Sequence, residues 1–121
     1  MKKTVIIGAT PNISRYANMA AQRLTEHQYE IVPIGIKKGE VYGKPILPIK
    51  EHPIVNDVHT ITLYLGARHQ PEYYEYLLSL KPTRIIFNPG TENEEFMAMA
   101  KAQGIEVVAG CTLVMLSVGN Y

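Results

Sequence analysis

A chain of 121 residues, 46% apolar and 19% charged, has the size and composition of one domain that buries its own core. A formal net charge of +1 excludes the general basic excess of nucleic-acid and membrane-surface proteins, so any anion site has to be local. One cysteine, Cys111, makes no internal disulfide, and four histidines without His-x-x-x-His or Cys-x-x-Cys spacing give no metal signature. With no signal peptide and no apolar run of about 20 residues, the expected location is cytoplasmic.

Short β-branched runs alternate with helical patterns along the whole chain, as in a parallel sheet covered on both faces. The runs predict strands over Thr4 to Ile7, Glu30 to Ile34, Ile61 to Leu65, Arg84 to Phe87 and Glu106 to Val108. Between the first two, Tyr16, Met19, Ala20 and Leu24 make an apolar stripe on a helix ending near His27. The stretch from Lys37 to His59 holds three prolines and two glycines and reads as a partly ordered crossover, its length signalling function or a missed element.

Pro71 to Leu80 predicts a helix with Pro71 at its first position, closed by Lys81-Pro82. Thr91-Glu92-Asn93-Glu94 has the spacing of a capping box, with Phe96, Met99 and Ala100 as the buried stripe behind it and Gly104 as the stop. Thr112 to Val118 predicts a last helix. The expected fold is therefore a single Rossmann-like, doubly wound α/β domain over residues 1–121. Five parallel strands in the order 3-2-1-4-5 would be joined by right-handed crossovers, with helices on both faces.

The first strand runs into Gly8-Ala9-Thr10-Pro11-Asn12-Ile13-Ser14-Arg15-Tyr16 and then directly into a helix, the arrangement that offers backbone N–H groups to a phosphate. The first helical turn carries Arg15 and no acid, against a macrodipole that favours negative charge there by roughly 0.3–1 kcal/mol. A bound anion resolves that conflict. The third helix instead opens on Glu92, Glu94 and Glu95 and satisfies its dipole itself, which leaves Thr91 to Glu95 a structural role. The bland alternative for the first loop is a tight connection with Ser14 as helix cap.

Thr10 and Ile13 stand where a dinucleotide fingerprint needs glycines, and the second strand ends in Gly35-Ile36-Lys37-Lys38 where NAD binding favours an acid. Lysines there suit a ribose phosphate, or else a solvated turn. NADP and coenzyme A (CoA) both carry a diphosphate and a ribose phosphate. No Gly-Lys-Ser/Thr follows Gly8, which excludes an NTPase phosphate loop. Receiver-domain acids are absent after the first and third strands. Cys111 is the strongest nucleophile in the chain, but lone cysteines are among the most buried residue types, and no histidine is near it in sequence.

Val5-Ile6-Ile7-Gly8-Ala9-Thr10-Pro11-Asn12, Ser14-Arg15-Tyr16 and Asn18-Met19-Ala20 resemble the opening of the small stand-alone bacterial CoA-binding domain proteins. Ile36-Lys37-Lys38-Gly39-Glu40, Tyr42 to Ile46, Asn88 to Asn93, Glu106 to Val108 and Gly110 to Met115 continue that resemblance to the end of the chain. The same domain is similar to the N-terminal part of the succinyl-CoA ligase alpha subunit. There a phosphohistidine domain follows that these 121 residues do not contain, so the resemblance implies binding of CoA or an acyl-CoA and not ligase chemistry.

The resemblance implies a phosphate loop of Gly8, Ala9, Thr10, Pro11, Asn12, Ser14, Arg15 and Tyr16, and a turn of Gly35, Ile36 and Lys37 near the adenosine. Two departures stand out. An expected Asn-Pro-Lys reads Gly35-Ile36-Lys37, and an acid-then-arginine run after the third strand reads Tyr64-Leu65-Gly66-Ala67-Arg68-His69, with Arg68 at the pocket mouth. The alternatives are an NADP-dependent oxidoreductase and a nucleotide-sensing or partner-binding module, the partner being a protein or a second copy of the chain.

Overall fold

The computed structural model describes residues 2–121. Six strands form one parallel sheet: β1 (Thr4–Ile7), β2 (Ile31–Gly35), β5 (Leu47–Pro48), β6 (Thr60–Leu63), β7 (Arg84–Phe87) and β8 (Glu106–Ala109), in the spatial order β5-β2-β1-β6-β7-β8. A small antiparallel pair, β3 (Glu40–Val41) and β4 (Lys44–Pro45), stands apart from it.

The expected five strands and their order are both corrected. The strand at Thr60–Leu63 lies between β1 and β7 and not outside β2, because that outer place is taken by β5, which pairs Leu47 with Ile34 and Pro48 with Gly35. Counted along the chain within the sheet, the order is 3-2-1-4-5-6, the Rossmann order with its short third strand included. A two-residue strand leaves no periodicity in a sequence, and proline is confined to sheet edges, where β5 lies. Since β5 reaches only Ile34 and Gly35, Pro33 also sits where β2 has no outer neighbour.

Alternation along the strands divides the core into two layers. Val5, Ile7, Ile61, Leu63, Ile85 and Phe87 face α2 (Tyr74–Ser79) and α3 (Glu94–Ala102), where they meet Leu77 and Phe96. Ile6, Ile31 and Ile86 face α1 (Tyr16–Glu26) and α4 (Thr112–Val118), where they meet Ala17, Ala21, Leu24 and Leu116. All six of the strand residues in the first layer are almost wholly buried, each worth about 1.5–3 kcal/mol of transfer from water.

Four local expectations change, the first being that Met99 is exposed and only Phe96 and Ala100 of the expected α3 stripe are buried. Tyr16 is exposed and lies off the buried stripe of α1, which consists of small residues and Leu24 and lets the helix sit close to the sheet. The helix expected from Pro71 is a 3-10 turn, Pro71–Tyr73, followed by α2 and ended by Lys81 at φ +50°. The cap of α3 is Asn93, whose Oδ1 accepts from the Phe96 N–H at 3.2 Å, so Thr91 is not the cap. Thr91 instead donates its hydroxyl proton to the Asn88 carbonyl at 2.8 Å, which spends it inside the loop.

Candidate functional site

The β1–α1 loop is tied down from three sides at the carboxyl edge of the sheet. Gly8 at φ +95° turns the chain so that its N–H and that of Ala9 both donate to the Ile34 carbonyl, at 2.9 and 3.1 Å. Gly35 lets β2 approach, since a Cβ there would lie 2.8 Å from the Ala9 carbonyl oxygen. Buried Asn18 reaches back from α1 to donate to the Thr10 carbonyl at 3.0 Å, and the Tyr42 hydroxyl donates to Asn18 Oδ1 at 2.8 Å. The β3–β4 hairpin is thereby latched to the loop.

Asn12 shapes the tip. Its Oδ1 accepts from the Ser14 N–H at 3.0 Å and the Ser14 hydroxyl at 2.7 Å, and its own N–H donates to Thr10 Oγ1 at 3.2 Å. Ser14 is therefore not a helix cap. Arg15 holds the cap position, no side chain caps the helix, and no acid stands in its first turn. The Asn18 N–H is taken by the Arg15 carbonyl at 3.1 Å, and the Tyr16 and Ala17 N–H groups with the positive end of the dipole are left for an external acceptor.

That helix end faces a cleft of about 440 Å³. The structure brings Gly8, Ala9, Thr10, Asn12, Arg15, Tyr16, Ile36 and Lys37 together on its walls. Gly35 lines an adjoining hollow of about 390 Å³ that shares Ile36 and Lys37 with the cleft and adds Lys38, Lys50 and Glu51. Pro11 and Ser14 shape the loop without lining the cleft, Pro11 lying against Gly39. Arg68 does not reach the cleft either: it is exposed on a 3-10 turn, Ala67–His69.

Sequence reasoning missed the opposite wall, made by Tyr64, Leu65 and Gly66 after β6 and by Pro89, Gly90 and Thr91 after β7. The available signal was positional, for both segments leave parallel strands at the carboxyl edge. Burial pushes the Tyr64 phenol up to about 12, against the smaller pull of the Thr62 and Thr112 hydroxyls beside it, so it stays neutral at neutral pH. Arg15 and Lys37 are the charged groups on the cleft wall, and no carboxylate accompanies them.

The contrast with α3 is visible in the bonding. The Glu92 carboxylate accepts from the Gly90 N–H at 2.9 Å and Asn93 caps the helix, so the start of α3, outside the cleft lining, already has its own anion and acceptor. A larger hollow of about 830 Å³ lies between the segment 52–58 and α2, but Asp57, Glu72 and Glu75 on its walls oppose an anion. Cys111 is half-buried at the cap of α4 and outside the cleft lining, and none of the four histidines lines the cleft. Among the described residues, no cluster of His, Cys, Asp and Glu is arranged to hold a metal.

Three solved structures frame the comparison. An uncharacterized protein is 55% identical, with TM-score 0.96 over 100% of this chain and 98% of its own. A hypothetical protein from Pyrococcus horikoshii OT3 is 27% identical, with TM-score 0.83 over 97% and 82%. The cell-free ID.343 protein of Thermus thermophilus, 21% identical with TM-score 0.82 over 99% and 90%, shares the fold. No functionally curated protein matches the chain. The family model described as CoA binding domain matches residues 2–117, nearly the whole length, and with the loop, cleft and Rossmann sheet in place the chain belongs to the CoA-binding domain family.

Proposed function

We propose that the chain binds CoA or an acyl-CoA non-covalently, with the diphosphate on the N-terminus of α1. Arg15 supplies charge, Thr10 and Asn12 supply hydrogen bonds with Ser14 holding Asn12 in place, and Lys37 meets the phosphate on the ribose. One observation carries this reading: a helix start without its own cap or acid opens on a cleft that holds two cations and no carboxylate. Family membership supports the choice of CoA among anions of this kind. The proposed activity is binding.

A thermal-shift panel of CoA, acetyl-CoA, NADP and NAD tests the reading. Stabilisation by CoA and acetyl-CoA, with little from NADP and none from NAD, is the expected result. Stabilisation by NADP alone makes the chain a nicotinamide-cofactor protein, and silence from all four leaves a module for a protein partner.

A further inference from the structure

Gln70 is wholly buried between the two loops of the wall opposite Lys37. Its Nε2 donates to the Leu65 carbonyl at 2.8 Å and to the Thr91 carbonyl at 2.8 Å, while its Oε1 accepts from Asn93 Nδ2 at 3.0 Å. The amide orientation is settled by chemistry, because both groups at the Nε2 end are carbonyl oxygens that only accept. One side chain therefore spends both donor protons on two different loops, and both loops line the cleft through Leu65 and Thr91. The local fold puts it there: Gln70 ends the 3-10 turn Ala67–His69 and precedes Pro71, which starts the next turn.

We infer that Gln70 is a positioning residue that sets the spacing of the Tyr64–Gly66 and Pro89–Thr91 loops and thereby the fit of the ligand portion beyond the diphosphate. The inference rests on the proposed CoA reading. If the diphosphate sits on α1 and the ribose phosphate beside Lys37, the pantetheine arm is the part left to run along the far wall. At the base of that wall Asn88 Nδ2 already donates to the Leu63 carbonyl at 2.8 Å, and further out the Gln70 amide joins Leu65 to Thr91. Removing the amide leaves the buried Thr91 carbonyl and the part-buried Leu65 carbonyl without their donor, and beyond the Asn88 tie the spacing of the two loops is no longer fixed.

The test compares CoA with 3′-phosphoadenosine 5′-diphosphate, which ends at the diphosphate, by calorimetry on the wild type and on Gln70→Leu. The expected result is a tenfold or greater loss of CoA affinity, with affinity for the bisphosphorylated fragment within twofold. Equal weakening of both ligands, or unchanged CoA affinity in a folded variant, overturns the positioning role. Wild-type protein that binds neither ligand sinks the CoA reading itself and this inference with it, a different result from a variant that fails alone. Should Gln70→Leu lack a cooperative urea transition, Gln70→Glu keeps the shape, turns the donors into oxygens, and is judged by the same two ligands.

Discussion

A Cβ placed on Gly8 would lie 2.8 Å from the carbonyl oxygen of Tyr64. Two walls of the cleft thus meet at backbone contact, and Gly8 also holds φ +95°. Gly8→Ala combines a left-handed backbone cost of roughly 1–2 kcal/mol with a clash against main chain that cannot rotate away. The expected outcome is a clear fall in the urea midpoint together with loss of CoA binding. An unchanged midpoint rejects the close packing of these two segments.

Arg15 is exposed, its side chain makes no cap bond, and its removal leaves the core untouched. A charge-assisted hydrogen bond to phosphate is worth about 1.5–3 kcal/mol, and the lower end applies at an exposed site. Arg15→Ala is expected to weaken CoA roughly tenfold with the melting temperature of the free protein unaltered. Rising salt should weaken the wild type more than the variant, since one screened contact is gone. Equal affinities by calorimetry remove Arg15 from the site.

Lys37 is shared by the cleft and the hollow beside it, which also carries Lys38 and Lys50. If it meets the ribose phosphate, Lys37→Ala weakens CoA by about tenfold and leaves dephospho-CoA, which lacks that phosphate, unaffected. A variant that loses the same factor for both ligands places Lys37 on the diphosphate instead.

The parts of this molecule legible in its sequence are those written locally. Four of the six sheet strands, β1, β2, β7 and β8, were expected to within a residue, because each is a compact β-branched run between turn residues. The β1–α1 loop was legible because a missing acid at a helix start is a property of consecutive residues. What stayed hidden depends on residues far apart. Leu47–Pro48 becomes a strand only because the end of β2 lies beside it, and its two residues carry no period. Leu65 and Thr91 are joined through Gln70, a lone polar residue that donates to carbonyls five and twenty-one positions away.

The α3 cap shows a subtler failure. Thr91 and Glu94 have the spacing of a capping box, yet Asn93 takes the role while also donating to Gln70 and to the Tyr74 hydroxyl. A side chain two positions further on won because it serves the helix and the loop at once. Asn93→Ala is expected to cost about 1 kcal/mol or more of stability, against little for Glu94→Ala, as read from paired urea titrations. The reverse ranking restores the capping box.

His59 lies at the opposite edge of the sheet, just before β6, and ties stability to pH. Burial, then the charges of Arg84 and Lys2, lowers its pKa below the ordinary 6.5. Its Nδ1 lies 2.7 Å from the Thr60 hydroxyl, whose oxygen accepts from Arg84 Nε at 2.8 Å, so the Thr60 proton is free to be given to a neutral imidazole. Arg84 is itself buried, stacked 4.3 Å from the Tyr121 ring without a carboxylate partner, and a second cation beside it is unfavourable. Above about pH 6.5 the ring is neutral in both folded and unfolded chains and the native state keeps its full stability. As pH falls through that value the unfolded chain takes up the proton first, and stability declines until the lowered native pKa is passed. Urea midpoints should therefore drop between pH 7.5 and pH 5 in the wild type and drop less in His59→Gln, which keeps a polar group beside Thr60 and cannot be charged. Parallel declines in the two proteins would assign the acid sensitivity to other groups.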